Sequence, residues 1–133
     1  MATIGQLMTR DVLFIQEEES IQEAAQCMHR KRIGSLLVKK GQDFLGIVTE
    51  TDVVQAVAEK PEAVAQLTVK EVMSSPIITV ERTMSPHYAR DLMADRKIRH
   101  LGVTEEGTII GVISVRDLLA YFKTVSKKVE EDV

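Results

Sequence analysis

The distribution of apolar and polar positions predicts the same order of elements twice along the chain. Ile21, Ala24, Ala25 and Met28 recur at helical spacing, which is typical of a helix with one buried face. Capping boxes at the start of each half predict a further short helix there. Short apolar runs between turn residues predict strands, and the expected strands are 12–15, 36–38 and 44–49, then 77–80, 100–103 and 109–114. Helices are expected from Ser20 and Ser85 and over 50–58 and 115–124.

An internal duplication explains why the pattern repeats. Shifting the chain by 65 residues aligns 3–57 with 68–122 without a gap, and identical residues recur along the whole alignment. Two copies of this length indicate a duplicated unit rather than an open array of short repeats. A unit of about 60 residues buries too little surface to be stable alone, so each half is expected to bury an apolar face against its twin.

These patterns predict one domain made of two halves. The first half is expected over 1–60 and the second over 68–125. Residues 61–67 contain Pro61 and are predicted to link the halves, with a helical turn within 62–66 as an alternative. The charged residues 126–133 are predicted to form a tail, which either frays or continues as a terminal helix with opposite charges close together.

Composition narrows the class of protein. The formal net charge of −3 offers no basic field, so nucleic acid is not an expected partner. The longest apolar stretch, Ile109–Ile113, is far shorter than the roughly 20 residues that span a bilayer, and no export signal is recognised at the amino terminus. The single cysteine, Cys27, forms no internal disulfide. We therefore expect a cytoplasmic protein with no membrane partner.

One short motif occurs at the same place in both halves. Gly46–Asp52 and Gly111–Asp117 each contain a glycine, two apolar residues, a hydroxyl residue and an acid three positions after the hydroxyl. The hydroxyl residues, Thr49 and Ser114, are predicted to end a strand and begin a helix. A hydroxyl followed by an acid at this spacing is also typical of an ordinary helix cap, which by itself explains both motifs.

Over nearly its whole length the chain resembles the paired CBS domain, the module named after cystathionine beta-synthase. The resemblance is carried by the duplicated motif, by the methionine, turn and strand that open each half, and by the strands Gly34–Val38 and His100–Val103. It implies an α+β fold of two β-α-β-β-α repeats packed sheet to sheet with pseudo-two-fold symmetry. It also implies a regulatory module with two pockets for adenosine-containing ligands in the cleft between the repeats.

The resemblance also implies roles for individual residues. Asp52 and Asp117 would hold the ribose hydroxyls, while Thr49 and Ser114 would lie near a phosphate together with backbone N–H groups and the positive end of a helix dipole. The other candidate ligand-binding residues are Arg99, His100 and Arg116 for phosphates and Val12 and Ile77 for adenine.

The basic candidates are distributed unequally between the repeats. Gly34 and Ser35, the counterparts of Arg99 and His100, are uncharged, so one pocket is expected to handle phosphates better. We expect that pocket to be the one containing the first-half motif, and Arg116 to serve the other. Solvated basic side chains, and core packing of the apolar candidates, remain the alternatives.

The sequence contains no recognisable motif for a catalytic site or a metal site. Three histidines (His29, His87 and His100) and one cysteine are scattered without a recognisable nucleophile, base and orienting acid. Cys27 and His29 diverge on a helix at a spacing of two, and the chain has no other metal-ligand motif. We therefore predict neither catalytic nor metal-binding residues.

The sequence thus predicts a stand-alone sensor that dimerises through its helices into a flat disc and changes the activity of a partner protein. AMP, ADP or ATP are the first ligand candidates, and NAD or S-adenosylmethionine are alternatives. The competing hypothesis is a protein-interaction adaptor whose pockets are vestigial and whose motifs persist only as helix caps.

Overall fold

The computed structural model describes the backbone of residues 2–131 and the side chains of residues 2–128. The helices are α1 (Ile4–Leu7), α2 (Ile21–Lys31), α3 (Glu50–Glu59), α4 (Val69–Val72), α5 (Pro86–Arg96) and α6 (Val115–Glu131), with a 3-10 turn at Val64–Gln66. The strands are β1 (Phe14–Gln16), β2 (Ser35–Lys40), β3 (Asp43–Thr49), β4 (Thr79–Glu81), β5 (His100–Glu105) and β6 (Thr108–Ser114). The α+β class and the duplicated order of elements are therefore confirmed.

Two three-stranded sheets have the same topology. In each, the first strand pairs parallel to the second and the second pairs antiparallel to the third, in the orders β1-β2-β3 and β4-β5-β6. The antiparallel register places Ser35 opposite Thr49 and His100 opposite Ser114. The first residue of each middle strand therefore lies beside the hydroxyl residue that ends the third strand.

The chain divides into two compact units that do not coincide with the two repeats. The central unit is Leu13–Ile77, and the terminal unit is formed by the chain before Leu13 and after Ile77. Helix α1 belongs to the terminal unit, where the Ile4 and Gly5 N–H groups donate to carbonyl oxygens of the β4–α5 connection. Helix α4 belongs to the central unit, where Val69 and Lys70 donate to the β1–α2 connection. Each repeat thus supplies its opening helix to the unit built mainly from the other repeat.

Each unit has its own apolar core. In the terminal unit, Ile4 of α1 packs with α5, α6 and the sheet, and the core residues are Ile4, Met8, Val80, Ala89, Met93, Leu101, Val103, Ile113 and Leu118. In the central unit, Val69 of α4 takes the corresponding place beside Ala24, Met28, Leu36, Val38 and Val48. A second cluster there contains Leu67, so the predicted linker contributes a buried side chain.

All six strands and helix α6 differ from the expected boundaries by one residue or more. Strands β1 and β4 begin two residues later than predicted, because Leu13 and Ile78 contribute carbonyls to Leu37 and Gly102 while the ladders themselves start at Phe14 and Thr79. Strands β2 and β5 end two residues later than predicted. Helix α6 continues past the expected end at 124 to Glu131, since no glycine or proline interrupts it and Val125 continues its apolar stripe. Residues 126–131 are therefore helical, and Asp132 and Val133 lie outside the described residues.

Candidate functional site

The candidate site of the central unit is the junction between β3 and α3. Thr49 is the N-cap of α3, and its N–H and hydroxyl both donate to Oδ2 of Asp52, at 2.8 and 3.1 Å. The Asp52 N–H donates back to the Thr49 hydroxyl at 3.4 Å. Both residues are half-buried, so the capping box fixes the carboxylate at a position that is partly shielded from solvent but still accessible.

The candidate site of the terminal unit repeats this geometry between β6 and α6. The N–H and hydroxyl of Ser114 donate to Oδ2 of Asp117 at 2.9 and 3.0 Å, and the Asp117 N–H donates to the Ser114 hydroxyl at 3.2 Å. In both units the N–H and hydroxyl of the capping residue donate to Oδ2 of the acid. The arrangement can therefore hold an anionic oxygen in a fixed orientation at the start of a helix.

The caps occupy donors that the sequence had suggested for a phosphate. The first helical N–H of α3, from Glu50, donates to the Gly34 carbonyl at 3.1 Å, and the first of α6, from Val115, donates to the Arg99 carbonyl at 2.9 Å. The N-cap and third-position N–H groups are engaged by the capping boxes. These N–H groups are therefore already hydrogen-bonded, and a bound phosphate would depend more on side chains.

The glycine of each motif, Gly46 or Gly111, is explained by a close backbone approach. A Cβ built on Gly111 would lie 2.7 Å from both the Met8 sulfur and the Thr9 carbonyl oxygen. A Cβ on Gly46 would lie 2.9 Å from the Met73 sulfur and would also meet the Ser74 carbonyl. Only glycine leaves room for the segment that follows the opening helix to lie against the third strand.

Val12 and Ile77, the two residues expected to contact adenine, follow these close approaches along the chain, one in each unit. Thr9 and Val112 exchange backbone hydrogen bonds of 2.9 and 3.1 Å, so the segment that leads to Val12 begins beside β6. Ser74 and Ile47 exchange two backbone hydrogen bonds of 2.9 Å, so the segment that leads to Ile77 begins beside β3.

Each residue expected to contact adenine therefore lies in the same unit as the motif of the other repeat. Val12 shares a unit with Ser114 and Asp117, and Ile77 shares a unit with Thr49 and Asp52. Both apolar side chains are half-buried. The sequence identified these segments by the methionine that precedes them, yet offered no sign that each lies beside the motif of the other repeat.

The basic candidates cluster at the same end of the terminal sheet. The Arg99 carbonyl accepts from the first N–H of α6, and the next residue, His100, pairs with Ser114 across the ladder. Arg116 lies in the first turn of α6, before Asp117. The Arg99 and Arg116 residues are exposed and His100 is half-buried. Their assignment to individual pockets stays a prediction.

The central unit has uncharged residues at the three matching positions. Gly34 and Ser35 stand at the places of Arg99 and His100, and Thr51 stands at that of Arg116. Within the part of the chain that the structure describes, no group of three or more histidine, cysteine or acidic side chains is arranged to hold a metal ion. Among the same residues, no helix is long and apolar enough to cross a membrane.

Comparison with known proteins agrees with this architecture. The family model of the CBS domain matches residues 4–59 and again residues 69–124. The crystal structure of a CBS-domain containing protein from Agrobacterium tumefaciens superposes with a TM-score of 0.85 and 32% identity, covering 90% of this chain and 93% of that one. The CBS domain pair of protein MJ0100, solved with 5-methylthioadenosine and S-adenosyl-L-methionine, superposes with a TM-score of 0.84 and 19% identity, covering 93% of this chain and 98% of that one. That likeness shows the shared fold.

A longer relative also contains the module. The inosine-5′-monophosphate dehydrogenase of Korarchaeum cryptofilum is 37% identical over 110 residues, which are 82% of this chain and 22% of that enzyme. The two family matches, the two motifs and the two sheets agree with one another. The chain belongs to the CBS-domain family and is a tandem CBS pair.

Proposed function

We propose that this CBS pair is a non-catalytic regulatory module that binds adenosine-containing ligands, with an adenine nucleotide (AMP, ADP or ATP) as the ligand of its terminal unit. The observation that carries the proposal is the cluster of Arg99, His100 and Arg116 at the edge where Ser114 and Asp117 form their cap. It unites cationic groups with an oriented carboxylate in one compact unit.

Ribose recognition follows from the chemistry of the cap. Because Oδ2 of Asp117 is held by Ser114, Oδ1 is the oxygen that can accept from the vicinal hydroxyls of a ribose. A hydrogen bond to a charged group contributes roughly 1.5–3 kcal/mol, enough to favour a ribonucleoside over its deoxy analogue. Asp52 has the same geometry in the central unit.

Phosphate recognition depends on side chains, since the nearby backbone donors serve the cap. Arginine matches phosphate geometry with several N–H donors, and Arg99 is exposed beside the first turn of α6. The expectation from sequence coupled Arg99 to the first-half motif; its backbone contact with Val115 favours the terminal motif instead. Gly34 and Ser35 leave the central unit suited to an adenosyl group without phosphate, such as S-adenosylmethionine, and NAD is a further alternative.

The test is a titration of the purified protein with AMP, ADP, ATP, NAD and S-adenosylmethionine, followed by thermal shift and calorimetry. A ligand that binds the native state raises the apparent stability. For Arg99→Ala we expect nucleotide affinity to fall by about tenfold to a hundredfold, the equivalent of one charge-assisted contact, and S-adenosylmethionine affinity to stay constant. Arg96→Ala, which removes a nearby exposed arginine from the end of α5, is the matched control.

Asp117→Asn separates ligand binding from helix capping. At this third helical position the side-chain oxygen of asparagine can still accept from the Ser114 N–H, so stability is expected to change little, while loss of the anionic acceptor weakens binding by about tenfold or more. Asp52→Asn is the same change in the central unit. Nucleotide binding that survives Arg99→Ala and Asp117→Asn unchanged would refute the assignment to the terminal unit.

A protein-interaction adaptor is the second candidate, and the capping boxes favour it specifically. Thr49 with Asp52 and Ser114 with Asp117 form complete caps, so the motifs have a structural role that requires no ligand. If all five compounds fail to stabilise the protein at millimolar concentration, the adaptor is the better account.

A regulatory module acts by binding another protein. We propose that the module acts in the cytoplasm as a homodimer that contacts a regulated protein through its helices, and that it does no chemistry on its ligand. Ligand binding shifts the module between conformations only by the difference in affinity for them. The hypothesis predicts that ligand and partner affinities change each other by the same factor.

A further inference from the structure

Among the methionines that the structure describes, Met73 alone combines access to solvent with a place in an apolar core. Met8, Met28 and Met93 are 8%, 4% and 3% exposed and lie within the buried clusters of the two units. Met84 is 36% exposed and lies outside those clusters. Met73 is half-buried and packs against the core of the central unit. A small oxidant dissolved in water can therefore reach Met73 in the folded protein more readily than the three buried methionines.

The Met73 side chain fills the space that the glycine of the first motif leaves open. A Cβ built on Gly46 would lie 2.9 Å from the Met73 sulfur and 3.3 Å from its Cγ. The next residue, Ser74, exchanges two backbone hydrogen bonds of 2.9 Å with Ile47 of β3. The thioether therefore packs at the point where the segment leading to Ile77 joins β3, within the motif that holds the proposed ligand site of this unit.

A peroxide converts methionine to its sulfoxide by transferring one oxygen atom. The sulfur lone pair attacks a peroxide oxygen, and the S–O bond forms as the O–O bond breaks. The hydroxide that leaves takes the proton of the sulfur-bound hydroxyl and becomes water. Sulfur loses two electrons and the peroxide gains them, so one hydrogen peroxide yields one sulfoxide and one water.

The sulfoxide is incompatible with the apolar contact at Gly46. Its oxygen is a polar group, and burying such a group without a hydrogen-bond donor is unfavourable. The oxidised side chain is therefore expected to turn towards solvent and leave the space beside Gly46 unfilled, which weakens packing as a large-to-small substitution does. The hydrogen bonds between Ser74 and Ile47 then lose their apolar neighbour, and the segment 74–77 loosens.

We propose that Met73 is a reversible oxidation site, and that its sulfoxide loosens the segment 74–77 and weakens ligand binding by the central unit. The proposal rests on the ligand function proposed above and adds regulation of that site by peroxides. Methionine sulfoxide reductases, one for each sulfoxide epimer, restore the thioether. Met8 takes the corresponding place beside Gly111 in the terminal unit and is buried, so nucleotide binding there is expected to persist.

The test is a time course of treatment with hydrogen peroxide, stopped with catalase. Dithiothreitol then reverses disulfide or sulfenic acid formation at Cys27, and peptide mass spectrometry measures the sulfoxide fraction at each methionine. Thermal unfolding, hydrogen exchange of the Ser74 and Ile47 amides, and calorimetry with S-adenosylmethionine and with AMP follow on the same samples.

The expected results separate the two units. Met73 should oxidise before Met8, and Tm should fall by about 3 °C or more in step with the Met73 sulfoxide. Exchange of the Ser74 and Ile47 amides should become faster. The affinity for S-adenosylmethionine should fall by about tenfold while the affinity for AMP stays constant, and treatment with the reductases should reverse the losses.

Three variants assign the effect to one sulfur. Met73→Leu keeps a similar apolar volume without an oxidisable sulfur, so peroxide should no longer lower its Tm or its affinity for S-adenosylmethionine. Met84→Leu removes the exposed methionine outside the cores and is the matched control, which should lose stability on oxidation as the wild type does. Met73→Gln places a polar side chain at the site without oxidant and should reproduce the losses. If Met73→Leu does not fold, the match in rate between Met73 oxidation and the fall in Tm of the wild type still decides the assignment.

Each outcome decides the proposal. If Met73 stays reduced while Met8 or Met93 oxidises, or if Met73 oxidises without a change in Tm and amide exchange, the methionine only fills space and the proposal is overturned. A loss that persists in Met73→Leu also overturns it. Failure of the wild type to bind any ligand refutes the proposed function instead, and Tm and amide exchange then show separately whether oxidation of Met73 loosens the segment.

Discussion

Gly111→Ala should destabilise the terminal unit and impair its ligand site at the same time. The added Cβ would lie 2.7 Å from the Met8 sulfur and from the Thr9 carbonyl oxygen. A methionine side chain can rotate away, because it is unbranched and flexible. The Thr9 carbonyl cannot, since it accepts the 3.1 Å hydrogen bond from Val112 while the Thr9 N–H donates the reciprocal one.

The expected magnitude follows from those contacts. Overpacking a core position costs about 1–3 kcal/mol, and two backbone hydrogen bonds contribute about 0.5–1.5 kcal/mol each. A loss of about 2–5 kcal/mol in the free energy of unfolding is therefore expected for Gly111→Ala. Displacing the segment that ends in Val12 should also weaken binding of AMP, the ligand proposed for this unit.

Urea denaturation followed by circular dichroism measures the first effect and calorimetry with AMP the second. Gly41→Ala is the control, because Gly41 has open space around it and a φ of 61°, so an added Cβ meets only the left-handed backbone penalty of about 1 kcal/mol. If Gly111→Ala costs no more than Gly41→Ala, the close approach does not restrict this position and the explanation of the motif glycine is wrong.

Two further predictions concern local features of the fold. Lys97 ends α5 with a φ of 56°, and the N–H groups of Lys97 and Ile98 donate to the carbonyls of Ala94 and Met93 at the helix end. Because glycine adopts this left-handed backbone without strain, Lys97→Gly should stabilise the protein by about 1 kcal/mol in urea denaturation. Destabilisation would contradict a strained backbone at this position. The Thr68 N–H and hydroxyl lower the pKa of Glu71, so its stabilising effect, present at neutral pH, should be lost as the pH falls through that lowered pKa. The difference in stability between the wild type and Glu71→Gln should therefore shrink on acidification, and a constant difference would refute the linkage.

The order of elements could be predicted because its signals are local. Apolar periodicity, turn residues and capping boxes act within a few residues, and the duplication allowed each half to support the assignment of the other. The exchange of α1 and α4 between units could not be predicted from such signals. It depends on hydrogen bonds such as that from Gly5 to Arg82, which join residues far apart in sequence.

In the candidate site, too, contacts between residues close in sequence could be predicted, whereas contacts between residues far apart in sequence could not. The pairing of a hydroxyl with an acid, in Ser114 and Asp117, follows from spacing alone and appears as a capping box. The sequence could not show that the Val115 N–H is taken by Arg99, because that contact spans the β5–β6 hairpin. Because these N–H groups are already hydrogen-bonded, the phosphate recognition proposed for this unit depends on the side chains of Arg99, His100 and Arg116.

The path of the chain suggests how ligand binding reaches the rest of the module. The boundaries between units fall after Val12 and after Ile77, the two residues expected to contact adenine. The chain that lies beside the terminal motif therefore continues directly into β1 of the central unit, and the chain beside the central motif continues into β4 of the terminal unit. A ligand that orders either segment acts on a covalent connection between units, and the coupling it produces is limited by its difference in affinity for the connected states. Because the opening helices are exchanged, each proposed ligand site includes a segment that continues along the chain into the other unit.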